Sequence, residues 1–233
     1  MILKDWNKLP ADLKNEKVRP YYKKLKGRTA SLISKRIFDI LVALIMVIIL
    51  SPVFIVVAVW IKLDSEGPVF YRQERITTYG KTFGIFKFRT MVINADKIGS
   101  LVTLDHDPRI TKVGRKIRKC RLDEIPQLLN ILKGEMTFVG TRPEVARYVD
   151  MYTDEMKATL LLPAGVTSLA SIKYKDEDEI ISRKTAEGLS VDQAYVDYVL
   201  PDKMKYNLEY IDGFSFWGDI KLMWTTFVNV ILR

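Results

Sequence analysis

A helix-rich α+β fold with one membrane segment near its N-terminus is what this 233-residue sequence predicts. Three observations lead there: an apolar run from Ile37 to Ile61, a strand–turn–strand pattern soon after it, and a series of helical stretches ending in a tryptophan-rich amphipathic segment. The run follows Lys35-Arg36, is closed by Lys62, and is broken midway by Ser51-Pro52. A bilayer needs about 20 residues at helical rise, so the run is long enough to cross one. It is too long for a signal peptide, and no small-x-small cleavage site follows it.

Whether the segment crosses or turns back is a question of charge. Residues 1–36 hold eleven Lys or Arg against three Asp or Glu, a net of +8 out of the formal +9 of the whole chain. Such a flank stays cytoplasmic. The part after the run holds the only cysteine, Cys120, and hence no internal disulfide framework, which fits a reducing compartment. Pro52 lacks an N–H and clashes with the carbonyl four residues earlier, so it kinks a helix. The freed carbonyl near residue 48 needs a partner, and the Ser51 hydroxyl or water can supply one. A bent helix that enters and returns and a straight spanning helix with a tolerated proline both remain open at this point. Asp39, just inside the run, is expected to pair with Lys35 or Arg36, because a lone carboxylate there is costly.

The chain divides into a basic arm (1–34), a membrane helix (35–62) and a domain (63–233), the last large enough for one core. No further domain is expected before Arg36. Pro68 to Ile76 reads as a strand, Thr77-Thr-Tyr-Gly80 as a turn, and Phe83 to Thr90 as the hairpin partner. Thr111 to Cys120 reads as a short basic helix. Asp123 to Leu132 follows as a helix with an acidic start and Gly134 just past its end. Met151 to Leu162 and Gln193 to Tyr210 are further helices, the second interrupted by Pro201. The last helix starts at Ser215 and puts Trp217, Ile220, Trp224, Phe227, Val228 and Ile231 on one face, as in a helix lying at a membrane interface; a core-packing helix would carry the same pattern.

Forked guanidinium groups near Gly, Pro and Thr suit phosphate recognition: Arg89 beside Lys87, Arg109, Arg115 and Arg118 beside Lys116 and Lys119, and Arg142 in Val139-Gly-Thr-Arg-Pro143. A solvated surface or an anionic-lipid contact would use the same residues. Asp123-Glu124 reads locally as a helix N-cap and a charge favourable to the helix dipole. Asp105-His106-Asp107 has the Asp-x-Asp spacing by which some glycosyltransferases hold a metal and a nucleotide sugar. With His106 the only histidine, a histidine triad or multi-histidine metal site is excluded. Neither a Gly-x-Gly-x-x-Gly nor a P-loop pattern occurs, which argues against the usual dinucleotide and NTP folds.

In order, the chain carries Lys35-Arg-Ile-Phe-Asp39, the Ser51-Pro52 break, Gly67-Pro-Val-Phe70, Gln73-Glu-Arg75 and Lys87-Phe-Arg-Thr-Met91. Asp107-Pro-Arg-Ile-Thr111 with Gly114, Leu122-Asp-Glu-Ile-Pro-Gln-Leu128 with Asn130, Gly134-Glu-Met136, Val139-Gly140, Arg142-Pro143 and Pro163-Ala-Gly-Val-Thr167 follow. From about residue 35 onward this resembles the monotopic phosphoglycosyl transferases, the bacterial sugar transferase family. The resemblance implies a re-entrant membrane helix kinked at Ser51 and Pro52 and an active site on the cytoplasmic face of the bacterial inner membrane. It implies transfer of a sugar phosphate from a UDP-sugar to polyprenol (undecaprenyl) phosphate, releasing UMP, at the start of surface polysaccharide or glycoconjugate assembly. Asp123 matches the nucleophile of a covalent phosphosugar–aspartyl intermediate. Glu124 matches the neighbouring carboxylate that, with Asp123, is expected to hold Mg²⁺. Arg118, Arg142, Lys87 and Arg89 are the expected substrate-binding residues.

The sequence departs from the family pattern in four places. Thr141 stands where proline is usual, Ile76-Thr-Thr-Tyr delays the glycine after Arg75, Asn207 stands where an aspartate is expected, and Ser168-Leu-Ala-Ser-Ile172 replaces a glycine-tryptophan version. These bear on sugar choice and lipid contact. Two other readings compete: a non-catalytic tether held on anionic lipid by its basic arm, and an Asp-x-Asp glycosyltransferase that releases UDP. Nucleic acid is not an expected partner, since the part after Arg36 is nearly neutral and lacks an aromatic–basic sheet motif. Self-association through the membrane helix or the last helix is compatible with the pattern.

Overall fold

A computed structural model describes residues 2–95, 107–174 and 176–231. Asp105 and His106 therefore lie outside the described residues. In chain order the elements are α1 (Arg19–Gly27), α2 (Thr29–Asp64), β1 (Phe70–Ile76), β2 (Thr82–Phe88), α3 (Lys112–Lys119), α4 (Gln127–Lys133), β3 (Met136–Val139), α5 (Ala146–Val149), β4 (Ala164–Thr167), α6 (Leu169–Lys173), α7 (Glu177–Ala186), α8 (Val191–Ala194), α9 (Leu200–Gly213) and α10 (Phe216–Ile231). The strands form an antiparallel hairpin, β1 with β2 from Phe70↔Phe88 to Ile76↔Thr82, and a short parallel pair, β3 with β4.

α2 runs unbroken for 36 residues with Pro52 inside it, about 54 Å at helical rise. The carbonyl of Ile48, deprived of an N–H by Pro52, accepts from Ser51 Oγ at 2.8 Å, which answers the need created by the proline. One stripe of the helix is buried: Leu32, Lys35, Asp39 and Ala43 in the first half, Val57 and Ile61 in the second. Much of the remainder is exposed and apolar, including Leu41, Ile45, Ile48, Ile49, Ile55 and Leu63. It is the one helix among the described residues long and apolar enough to cross a membrane.

Polar bonds tie both ends of this apolar helix to the rest of the molecule. Lys35 Nζ donates to Asp219 Oδ2 of α10 at 2.5 Å and to the Val139 carbonyl at 2.7 Å. Tyr210 of α9 donates toward the same carbonyl and to Asp219 Oδ1, both at 3.0 Å. Asp39 accepts from Thr137 Oγ1 (2.6 Å) and the Phe138 N–H (3.3 Å), and Arg36 donates to the last carbonyls of α4 at Ile131 and Leu132. The expected partner of Asp39 is thereby corrected: its bonds are to β3, because Lys35 and Arg36 are already engaged elsewhere. At the far end Asp64 Oδ2 accepts from the Val113 N–H in the first turn of α3.

Residues 2–34 change in composition but not in packing. Leu3, Leu9, Leu13, Val18, Tyr22 and Leu25 are buried in the main core. Of the basic residues there, Lys24 pairs with Asp212, Lys26 with Asp5, and Arg28 donates to the carbonyls of Asp212 and Phe214.

The hairpin, α3 and α10 stand close to where the sequence puts them, with Ser215 bonding the Gly218 N–H at the start of α10. Other elements differ. The stretch from Asp123 to Leu132 is split: a 3₁₀ turn (Leu122–Glu124), entered from Arg121 in the left-handed region, precedes α4, and Pro126 stands at the start of α4, where its missing N–H costs no bond. Gly134 at φ 82° stops α4 in the left-handed region, as its place beyond the last apolar residue implies. Residues 156–161 form 3₁₀ rather than α structure. Pro201 does not interrupt the helix it lies in but stands in the first turn of α9, directly after a π-helical turn at Tyr195–Val199 closed by the Leu200 N–H on the Tyr195 carbonyl. α10 exposes Trp217, Trp224 and Phe227, while its Asp219 is buried.

The Lys35–Asp219 pair is 5% exposed on both sides, so breaking it leaves a charge stranded. Asp219→Ala should cost about 3–5 kcal/mol of stability. The double replacement Lys35→Met with Asp219→Leu should restore most of that loss, as measured by denaturant unfolding in detergent.

Candidate active site

A cavity of about 410 Å³ opens beside the open end of the hairpin, and Asp123 lines it. Its size lies in the range of small-molecule sites. Arg75, Lys87, Arg89, Arg109 and Arg118 also line it, so one carboxylate faces several cations.

Three segments deliver these groups. α3 begins with Thr111 capping the Gly114 N–H at 2.9 Å and ends with Arg118 in its last turn. Arg121 then adopts φ 55°, a left-handed conformation that costs a non-glycine residue about 1 kcal/mol, and this turns the chain into the 3₁₀ segment holding Asp123 and Glu124. β2 brings Lys87, paired in register with Tyr71, to the same face as Gln73 and Arg75. The third segment is the loop after β3. It crosses β4 where the Gly165 N–H donates to the Thr141 carbonyl at 2.8 Å, and a Cβ at Gly165 would lie 2.2 Å from the Gly140 nitrogen. Only glycine fits there, and the close crossing fixes Arg142.

The two adjacent carboxylates have different surroundings. Arg142 Nη2 donates to Glu124 Oε1 at 2.7 Å, and Arg121 stands 3.9 Å from the same oxygen. Burial works to raise the Glu124 pKa, but the charges of Arg142 and Lys87 overrule it and hold the group at about 2. Asp123 is raised from the ordinary carboxylate value, first by burial and then by the charge of Glu124, with Lys87 and Arg118 pulling the other way. Its Oδ1 is buried and has no hydrogen-bond partner. Lys87 is brought down to about 8, chiefly by burial and then by Arg142, while Glu124 opposes the drop. The arrangement is one carboxylate neutralised by an arginine and a second, partly buried, whose Oδ1 has no hydrogen-bond partner, with cations around both.

The sequence-predicted residues fall into three groups. Asp123, Glu124, Lys87, Arg118 and Arg142 come together. Arg89 lines the cavity, but its guanidinium donates to the carbonyls of Glu66 (2.5 Å) and Ser65 (2.7 Å) and to Ser65 Oγ, clamping the exit of α2. Asp107 is held by Arg109 through Nε (2.9 Å) and Nη2 (2.6 Å), which keeps it at about 2. Thr141 is buried with its hydroxyl unpartnered, and Asn207 is buried within α9 beside Met204. Gln73 and Arg75 are absent from the expected site residues. The alternation of β1 marks them, since Tyr71, Gln73 and Arg75 share a face with Lys87. Behind Arg142, Glu144 accepts from Tyr195 at 2.5 Å, and Lys203 lies 3.6 Å from the same oxygen.

The donor set suits Mg²⁺ in one specific way. Hard carboxylate oxygens are present at Asp123 and Glu124, and Asp123 Oδ1 has no partner of its own. No group of three or more His, Cys, Asp or Glu that could hold a metal occurs among the described residues. Mg²⁺ is commonly bound by one or two carboxylates together with substrate phosphates, so these residues fit a metal that arrives with a diphosphate.

Replacing Arg142 by Met should raise the Glu124 pKa from about 2 toward the ordinary glutamate range, because burial then acts without its chief opponent and only Lys87 and Arg121 still pull it down. Isotope-edited infrared titration of the carboxylate would register the change.

Residues 30–233 match the bacterial sugar transferase family. Among similar proteins is the UDP-N-acetylgalactosamine-undecaprenyl-phosphate N-acetylgalactosaminephosphotransferase of Aeromonas hydrophila, 32% identical over 200 residues, covering 84% of this chain and 43% of that protein. Another is the UDP-glucose:undecaprenyl-phosphate glucose-1-phosphate transferase of Escherichia coli (strain K12), 34% identical over 204 residues, covering 84% and 40%. The exopolysaccharide production protein ExoY of Sinorhizobium fredii is 38% identical over 166 residues, covering 65% and 74%. The chain spans about two fifths of the length of the first two. The match over nearly all of its length after the basic arm makes this chain a member of the bacterial sugar transferase family.

Proposed function

We propose that the chain transfers a sugar phosphate from a UDP-sugar to undecaprenyl phosphate, with Asp123 as nucleophile. The observation that carries this reading is the unpartnered Oδ1 of Asp123 in a cation-lined cavity, beside a Glu124 already neutralised by Arg142. In the first step an Asp123 oxygen bonds to the sugar-bearing β-phosphorus. The bond from that phosphorus to the bridging oxygen breaks, and UMP leaves with the electron pair. In the second step an oxygen of the lipid phosphate bonds to the same phosphorus and the aspartyl carboxylate is released, giving the polyprenol-diphosphate sugar. No net proton transfer is required.

The obstacle is charge. A carboxylate approaching a diphosphate meets repulsion of about 4 kcal/mol per close pair at an effective dielectric of 20. Lys87, Arg118 and Arg142 supply the compensating positive charge, and the raised basicity of Asp123 increases its nucleophilicity. Mg²⁺, bound at Asp123 and Glu124 with the diphosphate, would add electrophilic stabilisation of the phosphate oxygens. One site that binds donor and acceptor in turn predicts ping-pong kinetics.

The reading extends to the membrane. Asp39 is bonded to β3 and Asp64 to α3, so the apolar stretch between them starts and finishes on one body. A spanning helix would place those two carboxylates in different aqueous phases. The favoured arrangement is a segment that enters the bilayer and returns, with Pro52 at its deepest part and the active site on the cytoplasmic side. The exposed Trp217, Trp224 and Phe227 of α10 then rest at the interface, and the exposed cations of α3 meet anionic headgroups.

Three experiments test this. Solubilised protein given Mg²⁺, undecaprenyl phosphate and a panel of UDP-sugars should release UMP with one donor, and Asp123→Asn should lower the rate at least about 10³-fold. UDP release instead would sink the mechanism. The rate should fall as pH rises through about 8, where Lys87 loses its charge, and Lys87→Arg should move that alkaline limb upward. With Cys120 replaced, single cysteines at positions 34 and 65 should both react with an impermeant maleimide from the cytoplasmic side; opposite sidedness would mean a spanning helix.

A further inference from the structure

The cavity at Asp123 has a second lining that phosphate chemistry does not use. Pleat alternation sorts the hairpin side chains near its open end into two faces. Tyr71, Gln73, Arg75 and Lys87 fall on one, Phe70 and Phe88 on the other. Phe70 stacks on Phe88 with ring centroids 5.4 Å apart, and Phe88 in turn lies 5.3 Å from Phe54 of α2, two residues beyond Pro52. A file of three aromatic rings thus leads from the apolar helix to the cavity wall.

The rim continues the same surface. Val92 and Ile93 line the cavity and are 44% and 52% exposed, and Phe70 is 38% exposed. Their backbone is fixed: the Val92 N–H donates to the Arg109 carbonyl at 2.9 Å, and Arg109 Nη1 donates to the Ala95 carbonyl at 2.8 Å. Ile93 lies over the exit of α2, where a Cβ on Gly67 would come 2.9 Å from its Cδ1. Next to this exit the helix exposes Val56, Val59 and Leu63. Apolar surface therefore runs from the membrane helix, around its exit, into the cavity that holds the reactive carboxylate.

We propose that this wall, Phe70, Val92 and Ile93 backed by Phe88, seats the first isoprene units of the lipid acceptor and guides its phosphate to Asp123. The inference rests on the sugar-phosphate transfer reading above. A nucleobase can stack on an aromatic face such as Phe70, but its edges also need hydrogen-bond partners, which the side chains of Phe70, Phe88, Val92 and Ile93 do not offer. An isoprenoid needs only apolar contact and a path from the bilayer, and the continuity with α2 provides both. The polar face of Tyr71, Gln73 and Arg75 is left for the nucleotide.

The test separates the two half-reactions. Val92→Ser with Ile93→Ser alters exposed positions, so the fold should be kept. The variant should show a KM for undecaprenyl phosphate raised about ten-fold or more, as expected from loss of two apolar contacts. The burst of UMP from donor alone should keep its wild-type rate and amplitude. An unchanged acceptor KM overturns the inference, and so does a raised donor KM with a slowed burst, which would give the wall to the nucleobase. Absence of any UMP burst from the wild type would instead remove the transfer reading itself. A photoactivatable isoprenyl phosphate provides a readout without turnover: crosslinking should fall on residues 91–95 or 70, and labelling confined to other segments overturns the inference.

Discussion

Everything in this molecule depends on how an apolar helix is gripped by polar bonds at its two ends. Lys35, Arg36 and Asp39 hold β3, α4 and α10, and Asp64 holds the start of α3. These are the elements that flank the candidate site, since β3 leads to Arg142 and α3 leads through Arg121 to Asp123. An ammonium and carboxylate as deeply buried as Lys35 and Asp219 would be unfavourable without further hydrogen bonds. Here the Val139 carbonyl and the Tyr210 hydroxyl provide them. The position of the long apolar helix and the position of Arg142 in the site are consequently set by the same small cluster.

The site uses the same principle with the opposite result. Two neighbouring carboxylates, Asp123 and Glu124, begin as chemical near-equals. The guanidinium of Arg142 reaches only one of them, and its charge outweighs the burial of Glu124. Asp123 keeps burial as its leading influence and an oxygen without a partner. The division into a neutralised acid and an unpaired one follows from the reach of a single side chain, held in turn by the crossing of Gly140 and Gly165.

Local chemistry makes part of this legible in the sequence. The hairpin is marked by its turn residues, α3 by its basic run between Thr111 and Cys120, the stop of α4 by Gly134, and the start of α10 by Ser215. The five charged residues that gather near the cavity all stand in recognisable motifs. What stays hidden depends on distance along the chain. β3 and β4 are four residues each with 24 between them, too short and too far apart to declare a parallel pair. Lys35 finds Asp219 at a separation of 184 residues, so the local expectation for Asp39 has no means of competing with it. Arg121 in a left-handed conformation has no composition signal at all, and it is what converts an apparent helix N-cap into a 3₁₀ turn presenting Asp123. α7, between Asp176 and Glu187, shows only weak amphipathic patterning, too little to mark it as a helix.

The C-terminal helices acquire a role from where they press. Glu144 lies two residues beyond Arg142 and accepts from the hydroxyl of Tyr195, the first residue of the π-helical turn Tyr195–Val199. Lys203 donates to the Tyr195 hydroxyl at 3.1 Å and pairs with Glu177 at 3.2 Å, joining α7 and α9 to the back of the same loop. The negative charges of Glu144 and Glu177 also help keep Arg142 protonated after the larger influence of Glu124. A segment that follows Arg142 by some fifty residues therefore braces the one guanidinium that distinguishes the two carboxylates. Pro201, which by local rules should break a helix, instead stands in the first turn of α9, where its missing N–H costs no intrahelical bond, and the chain runs on from the turn that carries Tyr195 into α9.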